Sequence, residues 1–234
     1  GYAAGAVTCI VDEDTTHVKG VHLIPADMIA GQIRSFLGDV GADCIKTGML
    51  YSKNIIRLVA GILDEYSSIP VVVDPVMVTS SGDKLLEEDA VQAYKDYLFP
   101  CASILTPNKK EAEWLCGKEL NEGNIEECLK DLSRWGNSVV IKSVENRDFF
   151  IDYYYNPVEK VMKVYKKEGI RTRNVNGTGD SFASAIATFL SKGYGIEFAV
   201  AEAERFIQQS IELGARFKFG RGFGPVYPYY EVQE

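Results

Sequence analysis

Residues 174–182 read Asn-Val-Asn-Gly-Thr-Gly-Asp-Ser-Phe, and the stretch from Ala183 to Lys192 has the composition of a helix. A glycine-rich turn entering a helix leaves several backbone N–H groups without intrahelical partners, all aimed at one spot. The helix dipole adds partial positive charge there, so the spot suits phosphate or another anion. Asp180 falls on the first turn, where a carboxylate can take a proton from a hydroxyl attacking phosphorus. An anion cradle at Gly177, Thr178 and Gly179 with a general base beside it is what phosphoryl transfer needs. The competing reading of this stretch alone is that Asp180 only caps the helix.

On both sides of that turn, apolar runs suited to buried strands alternate with helical periodicity. Strands are expected at 42–47, 70–73, 102–105 and 139–142, with Val71-Val72-Val73 the clearest. Pro25 opens a helix that carries Met28, Ile29, Ile33, Phe36 and Leu37 on one side. Ser52 caps another with Ile55, Ile56, Val59, Ile62 and Leu63 inward. Further helices are expected over 87–99, 109–116 (ended by Gly117), 125–135 (ended by Gly136), 180–192 (stopped by Gly193) and 197–217. This alternation implies the α/β class, with a mostly parallel sheet covered by helices on both faces. The segments 149–155 and 161–166 alternate aromatic and polar residues around Asn156-Pro157, the pattern of an antiparallel hairpin at a sheet edge. No linker or repeat interrupts the chain, so residues 1–234 read as a single domain.

Composition narrows the function. A net charge of −8 argues against a general nucleic-acid or anionic-membrane surface. A phosphate-bearing ligand must then be held by local backbone donors, a few cations and Mg²⁺. The five cysteines (Cys9, Cys44, Cys101, Cys116, Cys128) are odd in number and lack C-x-x-C spacing, so reduced thiols of a cytoplasmic protein are expected. His17 and His22 have no matching carboxylate cluster, which speaks against metal ligation by them. No apolar run reaches the ~18 residues that a membrane span requires, and no signal-peptide pattern is visible.

In an open parallel sheet, ligands collect beyond the carboxyl ends of the strands. Lys46-Thr47-Gly48-Met49-Leu50, Asp74-Pro75-Val76-Met77, Thr106-Pro107-Asn108 and Lys142 fall at four successive strand ends, with Glu111 one helical turn past Asn108. Each has a bland explanation. Prolines end strands, Asn108 and Glu111 suit a helix start, Asp74 forms turns and Lys142 is a solvated lysine. Four such ends plus the turn before Asp180 make a convergent site the better reading. Asp74 and Glu111 suit Mg²⁺, directly or through water, and Lys142 suits a phosphate.

The order of Lys46–Leu50, Val73-Asp74-Pro75-Val76-Met77, Leu105-Thr106-Pro107-Asn108-x-x-Glu111-Ala112, Asn176–Asp180 and Gly222-Phe223-Gly224-Pro225-Val226 resembles the ribokinase-like superfamily. Within it, the chain resembles the hydroxymethylpyrimidine/phosphomethylpyrimidine kinases of thiamine biosynthesis. The resemblance implies a three-layer α/β/α fold and an ATP- and Mg²⁺-dependent kinase of a small pyrimidine, with pyridoxal as the alternative substrate. A catalytically silent ligand-binding relative is the reading from another class. Asp180 would be the base, and the amides of Gly177, Thr178 and Gly179 the anion hole. Asn108, Lys142, Phe217 and Gly220 would serve the nucleotide, Asp74 and Glu111 the metal, and Gly48, Met49 and Cys9 the acceptor. Relatives commonly dimerise, and they begin with a further strand–helix unit that lines the acceptor pocket; either that segment is absent from this sequence or the protein lacks half its acceptor site. This chain has Cys9–Asp14 where the pyrimidine kinases carry Ala-Gln-Asn-Thr. It has Ser143-Val144-Glu145 where they carry Gly-Gly-His.

Overall fold

The computed structural model describes residues 1–78, 89–146 and 149–229. The chain opens with an antiparallel ribbon, β1 (Cys9–Glu13) and β2 (Val18–Leu23), that the sequence reading did not anticipate. Asp14 turns the ribbon: its Oδ1 accepts the Thr16 N–H at 2.8 Å, an Asx-type turn. Helix α1 (Ala26–Asp39) follows.

The central sheet has six strands, β3 (Ile45–Thr47), β4 (Val71–Val73), β5 (Ile104–Leu105), β6 (Ser138–Asn146), β7 (Phe149–Asn156) and β8 (Val161–Glu168), side by side in chain order. The first four are parallel, and β7 and β8 add the expected antiparallel hairpin at the edge. Parallel neighbours need crossovers. These are α2 (Lys53–Glu65), α3 (Ala90–Ala93) with the turns after it, and α4 (Lys109–Cys116) with α5 (Ile125–Leu132). Beyond β8 come β9 (Asn174–Asn176), α6 (Thr178–Leu190), α7 (Ile196–Gly214) and β10 (Gly224–Pro225), the last parallel to β9.

Successive strand residues point to opposite faces, and two cores result. Val71, Val73, Leu105, Val139 and Ile141 pack with α2, α4 and α5. Val72, Ile104, Val140 and Tyr154 pack with α6 and α7. Each fully buried aliphatic side chain contributes about 1.5–3 kcal/mol, so both faces of the short parallel strands hold the three layers together. The same alternation positions the site. Asp74, Thr106 and Lys142 each stand one residue past an inward member of the first core, so they point to the α6 side. Lys46, opposite Val72 in the register, does too.

Ser52 and Asn108 cap their helices as expected. The Ser52 Oγ accepts from Ile55 N–H, and Asn108 forms a reciprocal box with Glu111. The strands at 42–47 and 102–105 are shorter than expected, because pairing starts only where Ile45 meets Val71 and Val72 meets Ile104. By contrast β6 runs past Lys142, since β7 continues as its antiparallel partner. The expected helix over 87–99 becomes α3, a π-helical turn over Tyr94–Leu98 and a 3₁₀ turn over Phe99–Cys101, where Pro100 supplies no N–H. Glu87 and Glu88 lie outside the described residues. Helices α5 and α7 end at Leu132 and Gly214, short of Trp135 and Phe217.

The cysteine expectation requires a correction: Cys116 and Cys128 form a disulfide, with their Cα atoms 6.0 Å apart. Packing of α4 against α5 brings together thiols that are distant enough in sequence to hide the pairing. Thiol titration of the unreduced, denatured protein should find three free thiols, Cys9, Cys44 and Cys101. Five before any reductant is added would contradict the bond.

Candidate active site

Strand β9 delivers the chain into Gly177, whose φ of 79° and ψ of 5° place it in the left-handed region. A Cβ there would be strained, so glycine is required for β9 to turn into α6. No side chain caps α6, and the Thr178 hydroxyl turns back to donate to the Val175 carbonyl. The first-turn amides of Thr178, Gly179 and Asp180 are therefore left without a capping side chain, the condition for an anion seat. Asp180 is not a cap either. Its Oδ1 accepts from Lys46 Nζ at 2.9 Å, and 64% of its side chain is exposed.

Beside that turn lies a buried ion pair. Lys142 Nζ is 3.1 Å from Asp74 Oδ1, and the Thr106 hydroxyl donates to the same oxygen at 3.0 Å. Gly179 lets α6 come close: a Cβ there would sit 3.3 Å from Lys142 Nζ and 3.7 Å from Asp74 Oδ2. Burial works to discharge Lys142, yet the carboxylates of Asp74 and Glu111 outweigh it and hold the ammonium above its ordinary range. A cation thus faces the bare helix terminus. The alternative of a solvated Lys142 is excluded by its burial.

Glu111 reaches the pair from α4. Its two oxygens accept the Met77 N–H at 3.2 Å and the Asn108 N–H at 2.8 Å, while Asn108 Oδ1 accepts the Glu111 N–H at 3.0 Å. Burial, then the nearby Asp74, pushes the Glu111 carboxyl up to about 8 against the pull of Lys142. No group of three or more His, Cys, Asp or Glu able to hold a metal occurs among the described residues. Two carboxylates still fit Mg²⁺, which commonly takes one or two and fills its shell with phosphate oxygens and water. Asp74 would serve it directly, and Glu111, with a backbone N–H on each oxygen, through water.

Gly48 stands between Lys46 and Asp180. A Cβ at that position would lie 3.4 Å from Lys46 Nζ and 3.8 Å from Asp180 Oδ1. The Met49 carbonyl accepts the Thr8 hydroxyl at 2.9 Å, which ties the start of β1, and with it Cys9, to the same corner. Gly48 thus borders Asp180, and Met49 is tied through Thr8 to the strand end that bears Cys9. Phe217 and Gly220 lie on the segment that follows α7. Asn174 Nδ2 holds the Phe217 carbonyl at 2.8 Å, Phe217 stacks on Tyr227 and Gly220 packs against Thr15. No hydrogen bond or ion pair among the described residues joins either to Asp74, Lys142 or Asp180. Sequence reasoning gave no role to Lys46. Its signal was its place two residues before Gly48, on the face of β3 that meets α6.

The family model of phosphomethylpyrimidine kinase matches residues 1–227. The chain is 36% identical over 232 residues to the thiamine biosynthesis bifunctional protein ThiED of Geobacter sulfurreducens, covering 96% of this chain but only 46% of that protein. It is 34% identical to the hydroxymethylpyrimidine/phosphomethylpyrimidine kinase of Mycobacterium bovis, covering 99% of this chain and 84% of that one. The fold superposes on the pyridoxal kinase of Staphylococcus aureus, solved with AMP-PCP and pyridoxal, with a TM-score of 0.84 and 29% identity over 98% of this chain and 83% of that one. No helix among the described residues is long and apolar enough to cross a membrane. The ribokinase-like fold, the convergent strand ends and the match along nearly the whole chain lead to one statement: this chain belongs to the phosphomethylpyrimidine kinase family.

Proposed function

We propose that this chain transfers the γ-phosphoryl group of ATP to the hydroxymethyl group of 4-amino-5-hydroxymethyl-2-methylpyrimidine, and then to the resulting monophosphate, as its relatives in thiamine biosynthesis do. The observation that carries this reading is the position of Asp180. Its carboxylate borders Gly48 on one side and follows the Gly177–Gly179 anion seat on the other. An alcohol bound over Gly48 and Met49 would give its proton to Asp180 as its oxygen forms the new bond to phosphorus. The bond to the bridging oxygen of ATP breaks, and ADP leaves. The amides of Gly177, Thr178 and Gly179, together with Lys142, would take up charge on the transferring group, where fixed donors act without reorganising. Lys46 would hold the Asp180 carboxylate turned toward the acceptor. Asn108, Phe217 and Gly220 would border the nucleotide. Asp74, and Glu111 through water, would hold Mg²⁺, which would supply charge neutralisation for the phosphates. Dependence on ATP is in keeping with a cytoplasmic enzyme, and a homodimer is the expected assembly.

A second reading, pyridoxal kinase, is favoured by the close superposition on the Staphylococcus aureus enzyme. ADP release measured with each acceptor separately decides between them, and turnover with pyridoxal alone would overturn the pyrimidine assignment.

Asp180→Asn should lower turnover with the alcohol by roughly two to four orders of magnitude, the scale of a lost general base. The loss should be smaller with the monophosphate, whose second ionisation near pH ~6 already provides an anionic nucleophile. Equal, full activity with both acceptors would refute the role of Asp180.

Glu111 also sets a pH dependence. Its carboxyl binds a proton more tightly when folded, at about 8, than at its ordinary 4.5. The folded state therefore holds more protons between these values, and stability falls as pH rises through that window. Glu204, raised first by burial and then by Asp152, acts in the same direction. The thermal midpoint of the metal-free protein should fall from pH 5 to pH 8, and Glu111→Gln should reduce that fall. An unchanged slope in the variant would contradict the assignment.

A further inference from the structure

The strand that carries Lys142 is irregular at that point. Its register with β7 shifts between Ile141, opposite Tyr153, and Val144, opposite Ile151. Lys142 and Ser143 therefore stand against Asp152 alone, two residues facing one, which is the definition of a β-bulge. The inward phase changes across it: Ile141 and Val144, three apart, both enter the α4–α5 core. Ser143 has a φ of 60°, a left-handed backbone that any residue with a Cβ adopts unfavourably. Something must hold it there, and Asp152 does. Its Oδ1 accepts the Ser143 N–H at 2.7 Å.

The other oxygen of Asp152 is held in turn. Lys167 Nζ, from β8, donates to Asp152 Oδ2 at 2.7 Å and also to Glu204 on α7. The side chains of Asp152 and Glu204 are almost fully buried, and Lys167 largely so. A continuous set of buried contacts thus runs from α7 through Lys167 and Asp152 to the backbone beside Lys142, and from Lys142 to Asp74. The proposed chemistry uses only the last of these.

We propose that Asp152, braced by Lys167 and Glu204, is a positioning residue for phosphoryl transfer. It pins the bulge at Ser143 and so fixes Lys142 against Asp74 and the anion seat. This rests on the reading of Lys142 as a group that serves the nucleotide phosphates. Asp152 touches neither substrate. It acts through the backbone of its neighbour across the strand pair, and a shift of Lys142 by an ångström is enough to spoil alignment at the transferring phosphorus.

The test is kinetic, with rescue. Asp152→Ala should lower kcat/KM for ATP by about 10- to 100-fold, the scale of an ångström's misplacement, while the KM for the acceptor stays within about twofold. Ser143→Gly relieves the backbone strain, so alone it should change kcat/KM for ATP by less than about threefold, and added to Asp152→Ala it should restore at least tenfold. A buried ion cluster that only stabilised the fold would show no such rescue. Failure of Ser143→Gly to restore activity, or unchanged ATP kinetics in folded Asp152→Ala, overturns the proposal. Where Asp152→Ala does not fold, Asp152→Asn decides. It keeps an oxygen for the Ser143 N–H but sets an amide N–H against Lys167, so any loss in kcat/KM for ATP should return to within about threefold when Ser143→Gly is added, whereas a loss that Ser143→Gly leaves in place overturns the proposal. Lys142→Ala separates the two levels. Unchanged ATP kinetics there refutes the role of Lys142 and the proposal with it, whereas an impaired Lys142→Ala beside an unimpaired Asp152→Ala refutes positioning alone.

Discussion

The buried pair of Asp74 and Lys142 is the interaction around which the rest of this molecule is arranged. Two charges withdrawn from water just past β4 and at the bulge within β6 gain little net stability from each other, and removing either partner would leave a buried charge uncompensated, at a cost of about 3–5 kcal/mol. The surrounding residues are understandable as provisions for keeping that pair charged and reachable. Thr106 supplies a further donor to Asp74, and the Asp74 carboxylate keeps the lysine protonated against its burial. Gly179 lacks the Cβ that would push α6 away. A site that stabilised only the fold would more simply be apolar. Charges held here suit a ligand that brings its own negative charge into a place with little water.

Architecture and chemistry are linked by the two-residue period of the strands. With Val71, Val73, Leu105 and Ile141 committed to one core, Asp74, Thr106 and Lys142 fall on the α6 face without further adjustment. The α6 face is also where β9 and Gly177 deliver the first-turn amides and Asp180. Lys46 shares that face through its register with Val72 and meets Asp180 directly. The cation row and the helix terminus oppose each other because parallel strands end on one edge of the sheet, and the helix that follows β9 starts there.

Much of this was legible in the amino-acid order. The Val71–Val73 run, the aromatic alternation around Asn156 and the glycine turn before Asp180 each state a local preference that the fold keeps. So do the capping residues Ser52 and Asn108, whose hydrogen bonds span only three residues. What stayed hidden depends on distant partners. The β1–β2 ribbon mixes apolar residues with exposed Asp12, Glu13, Lys19 and His22, exposes Ile10, and interrupts its alternation at Gly20, so no clean period reveals it. The Cys116–Cys128 bond needs the packing of α4 on α5 before the thiols are neighbours. The left-handed Ser143 is invisible in a sequence, since only the carboxylate of Asp152 across the strand pair accounts for it. Lys46 was noticed as part of a strand end, but its partner lies 134 residues away. The contacts of Phe217 and Gly220, with Asn174, Tyr227 and Thr15, are likewise set by partners far along the chain or by the local fold.

The most direct measurement is a crystal structure with Mg²⁺ and a non-hydrolysable ATP analogue. The terminal phosphate should lie within hydrogen-bond distance of the Thr178 and Gly179 amides and of Lys142 Nζ, with Asp180 facing it across the acceptor position. A triphosphate bound elsewhere, with those amides and Lys142 contacting only protein or water, would contradict the account.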